Sequence, residues 1–438
     1  MIVPQSRLLA WVAVFIPVAV AGALVPGVAA PAAIAFAALA LLTGIDAALG
    51  RREVRGLRVS LPDIVRLTVE RPAAIPVTVR QERERALTVR IGLPLPGGFR
   101  SADEVLEAAV PAGAESRLTW PCTPGVRGRF EVSRCHLEVS SPLGFWGART
   151  VCACRSELRV YPNLAGERKR LAAIFLRRGR SGIHAQRMVG HGREFERLRE
   201  YAPGDTYEDI HWKATARRGK PITKLFQVER TREIYVAIDT SRLSARAAEG
   251  EPALERFMAA ALVLGLAAEQ QGDLFGLIVF GSRVTRFIRA GRGKAHYAVC
   301  RDALYALQAD ATTPDFDELA TFARLNLRKR ALVLVLTDLS DPVLAESFRH
   351  GAELLCRHHL VMVFMVRPAG VGPLFGEANA ESADQVYRNL AGHLIWTELR
   401  EIGRQLQRRG IGFALSERET LSADLVSRYM SIKARQML

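Results

Sequence analysis

From Leu8 to Val25, and again from Val28 to Ile45, the chain carries no charged residue and almost nothing but apolar ones. Each run is about 18 residues, near the lower limit for crossing a hydrocarbon core of ~30 Å at 1.5 Å per helical residue. Val25-Pro26-Gly27-Val28 between them is turn chemistry. The runs therefore read as a two-helix membrane hairpin over residues 1–50. Ala19, Gly22, Ala23, Ala37 and Ala38 supply small residues for close helix contact in lipid. Arg7 precedes the first run, and Arg51, Arg52, Arg55 and Arg58 follow the second, whereas the turn is uncharged. That asymmetry predicts both ends on the cytoplasmic side. Cleavage of a signal peptide after Val28-Ala29-Ala30 is the competing reading, and it leaves the second run attached as an anchor.

The remainder of the 438 residues is long enough for two or three domains. With 49% hydrophobic and 24% charged residues it has a globular composition, which excludes wholesale disorder. The net charge is +16, carried almost wholly by Arg and spread along the chain. It reads as solvated surface suited to an acidic partner rather than as a nucleic-acid site. Six cysteines fall in no zinc spacing and no dense disulfide framework; Cys152 and Cys154 would share one face of a strand.

Residues 51–164 alternate apolar and polar positions, as in Val65-Arg66-Leu67-Thr68-Val69 and Leu87-Thr88-Val89-Arg90-Ile91, with Pro and Gly between the runs. This predicts a β-sandwich-like domain. Pro142 to Gly147 reads as a packed corner. Residues 165–232 form a basic connector, with ten Lys/Arg against two Asp/Glu from Arg168 to Arg199. Interleaved arginines and aromatics suit either a phosphate strand or an ion-paired structural lock. Carboxylates alternate with the arginines from Glu194 onward, which favours the lock. On that reading Trp212 is buried, and its removal costs roughly 3–5 kcal/mol.

Residues 233–438 alternate apolar strands, such as Ile234–Ile238, Leu274–Phe280, Ala331–Leu336 and Leu360–Val366, with helices at 253–271, 294–308, 389–409 and 421–436. That pattern predicts a doubly wound α/β domain with a mostly parallel sheet. Ligands of such sheets bind beyond the carboxyl ends of the strands. Asp239 and Asp338 stand at two such ends, and Thr312-Thr313-Pro314-Asp315 offers hydroxyls on a third loop. Oxygen-only donors suit a hard cation, Mg²⁺ above all. The same groups also serve as helix caps and turn partners.

With those residues in place, the domain resembles a von Willebrand factor A domain with its metal-ion-dependent adhesion site. Asp239 and Ser241 match the first motif, but Leu243 stands where a second serine belongs, and Ser244 is one position late. The resemblance implies a degenerate site of Asp239, Ser241, Thr313 (or Thr312) and Asp338, with weak Mg²⁺ binding or none until a partner supplies a carboxylate. Gly192, Glu194, Phe195, Leu198, Arg199, Tyr201, Gly204, Asp205, Ile210, Trp212, Ala216 and Arg217 recur in an order that resembles the bacterial domain-of-unknown-function family fifty-eight. Of these, Glu194, Phe195, Arg199, Tyr201, Gly204, Asp205, Trp212 and Arg217 are the expected structural or partner-binding set. Members of that family share two membrane helices, a β domain and an A-type domain. They are typically encoded beside a MoxR-type AAA+ ATPase and a transglutaminase-like membrane protein.

The expectation is a non-enzymatic scaffold or adaptor in the bacterial inner membrane, its bulk cytoplasmic, binding protein partners such as that ATPase and no nucleic acid. The chain lacks a nucleophile elbow, a P-loop and a His-Glu-x-x-His motif. His211 reads as structural, and His358 and His359 as exposed at a helix end. An enzyme of unknown chemistry, or binding of nucleic acid or anionic lipid by the connector, are the alternatives.

Overall fold

The computed structural model describes residues 1–24, 26–82, 85–179, 189–201, 207, 210–227, 232–248, 251–374 and 382–435. Two compact units result, Met1–Asn163 and Leu164–Leu438.

The first unit begins with β1 (Ile2–Pro4), α1 (Ser6–Leu24) and α2 (Pro26–Val54). Both helices are long and apolar enough to cross a membrane. Few of their side chains are buried within the protein; Leu9, Val14, Ile16, Ile34 and Leu41 are all at least 58% exposed. A soluble protein could not tolerate such a surface, but lipid can. Pro17 and Pro31 lie inside the helices. The second helix outruns the apolar sequence and carries Asp46, Arg51 and Arg52.

Then come β2 (Leu57–Ser60), β3 (Ile64–Thr68), β4 (Ala73–Gln81), β5 (Leu87–Gly92), β6 (Phe99–Arg100), β7 (Leu106–Val110), β8 (Glu115–Pro124), β9 (Gly128–Ser140) and β10 (Trp146–Tyr161). They form one sheet in the order β1-β10-β9-β5-β7, with β3 also on β10, and a second in the order β2-β4-β8-β6. The period-two sequence decides which side is inside. Ile75, Val77 and Val79 of β4 are buried in the same cluster as Val89 and Ile91 of β5 and Leu137 and Val139 of β9, so the two sheets share one core. All six cysteines are free thiols.

The second unit opens with α3 (Ala165–Gly179), β11 (Val189–Glu200), α4 (Trp212–Arg218) and β12 (Ile222–Gln227). The strands of the connector pair antiparallel, with Phe195 opposite Phe226 and Arg199 opposite Thr223. There follow β13 (Glu233–Asp239), β14 (Ala247–Ala248), β15 (Glu251–Pro252), α5 (Ala253–Gln270), β16 (Leu274–Phe280), β17 (Val284–Gly291), α6 (Gly293–Leu304), α7 (Phe316–Asn326), β18 (Ala331–Leu336), α8 (Pro342–Cys356), β19 (Leu360–Val366), α9 (Ala383–Arg408), β20 (Gly412–Ser416) and α10 (Leu421–Ala434).

The main sheet runs β17-β16-β13-β18-β19-β20, parallel except for the β16–β17 pair. Alternate residues of β13 face opposite layers. Ile234, Val236 and Ile238 pack with α5 and α10, while Tyr235 and Ala237 pack with α7 and α8. A sheet covered on both faces needs continuous apolar strands, which is why Ala331-Leu332-Val333-Leu334-Val335-Leu336 is buried at every position. Helix α7, expected after Asp315, and α8, absent from the sequence reading, are both started by caps. The Asp315 side chain accepts from the N–H groups of Asp317 and Glu318, and that of Asp341 from Val343 ahead of Pro342.

Candidate functional site

The chain leaves β13 toward β16 and later crosses back to β18, so the crevice at their carboxyl ends lies at the switch of strand order. Asp239 ends β13 there with no exposed surface. One carboxylate oxygen accepts the Ser241 N–H at 2.8 Å; the other accepts the Thr337 hydroxyl at 2.6 Å. Burial raises its pKa above the ordinary carboxylate value, against the lowering effect of those donors, and Asp338 raises it further.

The following loop folds inward. The Ser244 hydroxyl donates to the carbonyl of Asp239 at 2.6 Å and lies 3.2 Å from that of Ser241. Leu243 is buried in the core on the α7–α8 side. The Arg242 N–H donates to Thr312 O at 2.9 Å, and the Thr240 N–H to Phe280 O at 2.7 Å, so the loop after β13 is tied to the end of β16 and to the α6–α7 loop. Asp338 is set by Ser340, whose N–H donates at 2.8 Å and whose hydroxyl donates to the same oxygen. Its second oxygen faces the Arg246 guanidinium at 3.6 Å.

Of the four expected site residues, the structure joins Asp239 directly to Ser241, and sets Asp338 beside them electrostatically. Thr313 sits exposed on the rim; Thr312 reaches the loop through its carbonyl. Thr337 and Arg246 are partners that the sequence reading missed. Thr337 is adjacent to Asp338 at a strand end and was legible as a second hydroxyl; Arg246 carries no motif that marks it.

This donor set does not fit Mg²⁺. Both oxygens of Asp239 already accept internal hydrogen bonds, Ser244 spends its proton on backbone carbonyls, Leu243 is apolar bulk, and a guanidinium occupies the open side of Asp338. A hard divalent ion takes about six oxygens, several of them from water, but each protein oxygen among them must be free to turn toward it. Among the described residues no three His, Cys, Asp or Glu side chains group as metal ligands.

The connector residues are placed differently from expectation. Trp212 is 69% exposed at the first position of α4, which corrects the expectation of a buried aromatic. Ile210 is the residue buried there, bridged to Thr223, while the seven-residue helix turns the indole outward. His211 does act structurally: its Nδ1 accepts the Ala214 N–H at 3.0 Å as the cap of α4. Arg217 is exposed in the last turn. Tyr201 stacks on Tyr207 with ring centroids 6.0 Å apart. Glu194, Phe195 and Arg199 are placed on β11 by register alone, and Gly204 and Asp205 lie outside the described residues. His359 is 5% exposed, not exposed as expected, because it enters the turn before the buried strand β19; burial lowers its pKa.

Three solved structures are similar to part of the chain. An aerotolerance-related membrane protein from Bacteroides fragilis NCTC 9343, carrying multiple mutations to serines, has 15% identity and a TM-score of 0.30, with 45% of this chain and 99% of that one covered. The conserved hypothetical protein BatB from Bacteroides thetaiotaomicron has 16% identity and a TM-score of 0.28, covering 47% and 99%. The SpRpn10 VWA domain has 12% identity and a TM-score of 0.28, covering 45% and 95%. No curated protein matches the chain. Residues 197–379, from the end of β11 through β19, match the model described as protein of unknown function DUF58. Over that segment the chain is similar to the DUF58 family.

Proposed function

We propose that this protein is a non-enzymatic, membrane-tethered adaptor. Its doubly wound, A-type-like domain binds a protein partner at the carboxyl edge of β13, β16 and β18. The observation that carries the reading is the construction of that edge. The ends of β13, β16 and β18 are fastened around the buried Asp239, so the backbone that carries the exposed Arg242, Arg246, Arg283 and Thr313 is held in place. Guanidinium forks on a rigid rim favour carboxylates of a partner at little entropic cost. The partner expected from the family resemblance is a MoxR-type AAA+ ATPase at the cytoplasmic face of the bacterial inner membrane, with a transglutaminase-like membrane protein in the same assembly. Because the donors do not suit Mg²⁺, the contact is expected to be independent of metal.

The test is co-purification of the tagged full chain from membranes, followed by mass spectrometry. An AAA+ ATPase should be retained by the wild type with or without chelator, and lost from an Arg242→Glu/Arg246→Glu variant. Retention equal in the two proteins would move the interface elsewhere, and no retained protein from the wild type would count against the adaptor role.

A further inference from the structure

Asp46 is a carboxylate of α2 with no exposed surface, more deeply buried than Glu53, which is 8% exposed near the end of the same helix. Its partners all come from the turn between β9 and β10. One oxygen accepts the Leu143 N–H at 2.9 Å; the other accepts the Ser141 hydroxyl and the Phe145 N–H at 3.2 Å. The Trp146 indole N–H donates to Thr43 O at 2.9 Å, one turn back along the helix. The first helix is fastened to the same turn. The Gln5 N–H donates to Phe145 O at 2.9 Å, and its amide to the Ser140 hydroxyl at 2.8 Å. Arg7 lies over Gly144, where a Cβ would come within 3.2 Å of it, and φ of +74° calls for glycine in any case.

The depth of this turn follows from helix arithmetic. A hydrocarbon core of ~30 Å takes about 20 helical residues, and counted from Pro26 these run out at Asp46. The 19 residues of α1 span about 28 Å and begin at Ser6. Both helices therefore bring the turn 141–146 to the same level, the boundary between hydrocarbon and headgroups. The residues it offers suit that level. Leu143 is 47% exposed, Phe145 and Trp146 are half-buried, and Arg7 lies over Gly144 in the same turn. Apolar and aromatic side chains with nearby guanidinium are what a bilayer interface favours.

We propose that the β9–β10 turn is a membrane contact in its own right, with Leu143 seated in the lipid interface. The β unit then rests on the bilayer with a fixed tilt and does not swing on a tether. The proposal rests on the reading that α1 and α2 span the membrane, and it holds for either orientation.

The experiment places p-benzoylphenylalanine at position 143 of the full chain in lipid nanodiscs. Photo-crosslinked phospholipid is then measured by mass spectrometry, against the same residue at position 41 in α2 and at position 105 in the β unit. Leu41 is 66% and Val105 54% exposed, so all three sites should tolerate it. Lipid adducts at 143 within about threefold of those at 41, and at least tenfold above those at 105, are expected. Adducts at 41 but none at 143 would overturn the contact and leave the spanning helices intact. No adducts at 41 would overturn the spanning reading, and the contact with it. Equal adducts at 143 and 105 would overturn the specificity claimed for the turn.

Discussion

Position 212 shows how far a single side chain can depart from its local sequence. An aromatic beside an apolar residue in a charged stretch argues for burial, yet the register of β12 gives the inward place to Ile210 and leaves Trp212 at 69% exposure. Trp212→Ala should therefore change stability by no more than about 0.5 kcal/mol, whereas Ile210→Ala should cost about 2–5 kcal/mol. Thermal unfolding of the two variants, compared with wild type in detergent, reads both. At Asp239 a second outcome follows from geometry. If the carboxylate is committed to Thr337 and Ser241, adding Mg²⁺ should leave the melting temperature unchanged, since only a ligand bound to the native state raises it. A rise that disappears with Asp239→Ala would show a working metal site. The thiols give a third. Burial pushes Cys135 and Cys300 up to about 12, with Cys154 and Cys152 adding to the effect at Cys135. Both stay protonated in the native state at pH 8 and should resist iodoacetamide until the protein unfolds. The folded pKa is the higher one, so these groups leave stability unchanged below the unfolded value near 9. They lower it only as the pH climbs from there toward 12, because the unfolded chain releases its protons first.

At the scale of elements, the helix–strand contacts depend on a few close approaches that no periodicity reveals. The sequence places α9 correctly as a helix, but its seat is fixed by Gly392. A Cβ there would overlap the carbonyl oxygen of Gly370, in the loop after β19. Gly392→Ala would force the helix off that loop and expose part of the layer that includes Leu399 and Leu406. The expected cost is about 1–3 kcal/mol or more, because the obstructing atom is backbone and cannot rotate away. Urea unfolding of the full chain, followed by tryptophan emission, measures it; a variant as stable as wild type would mean that α9 adjusts freely. Helices α7 and α8 illustrate the reverse case. Their caps at Asp315 and Asp341 are plain in the sequence, but both carboxylates also sit beside a suspected metal motif. Only the hydrogen bonds decide that these two serve the helices.

For the whole molecule, the two apolar helices and the arginines around them set the expected topology. A reporter fused after Leu438 should behave as cytoplasmic, and periplasmic activity of that fusion would reverse the assignment. How much of this protein can be read from its sequence depends on the range of the interaction concerned. The membrane helices, the alternating strands of the first unit and the buried strands β13, β16, β18 and β19 were legible, because each is dictated by the side chains of one contiguous segment meeting lipid or core. The carboxyl edge was legible in part: Asp239 and Asp338 end apolar strands, and the missing serine at Leu243 is visible in the sequence. The pairing of Thr337 with Asp239, the approach of Arg246 to Asp338, the latch of Asp46 onto the β9–β10 turn and the outward turn of Trp212 were not. The three pairings join residues between 92 and 99 positions apart, and the fourth depends on which of two neighbouring side chains the facing strand accepts. Sequence by itself determined which segments must leave water. Tertiary structure decided which polar groups meet once they have left, because a buried donor or acceptor takes whatever partner the packed backbone brings within about 3 Å.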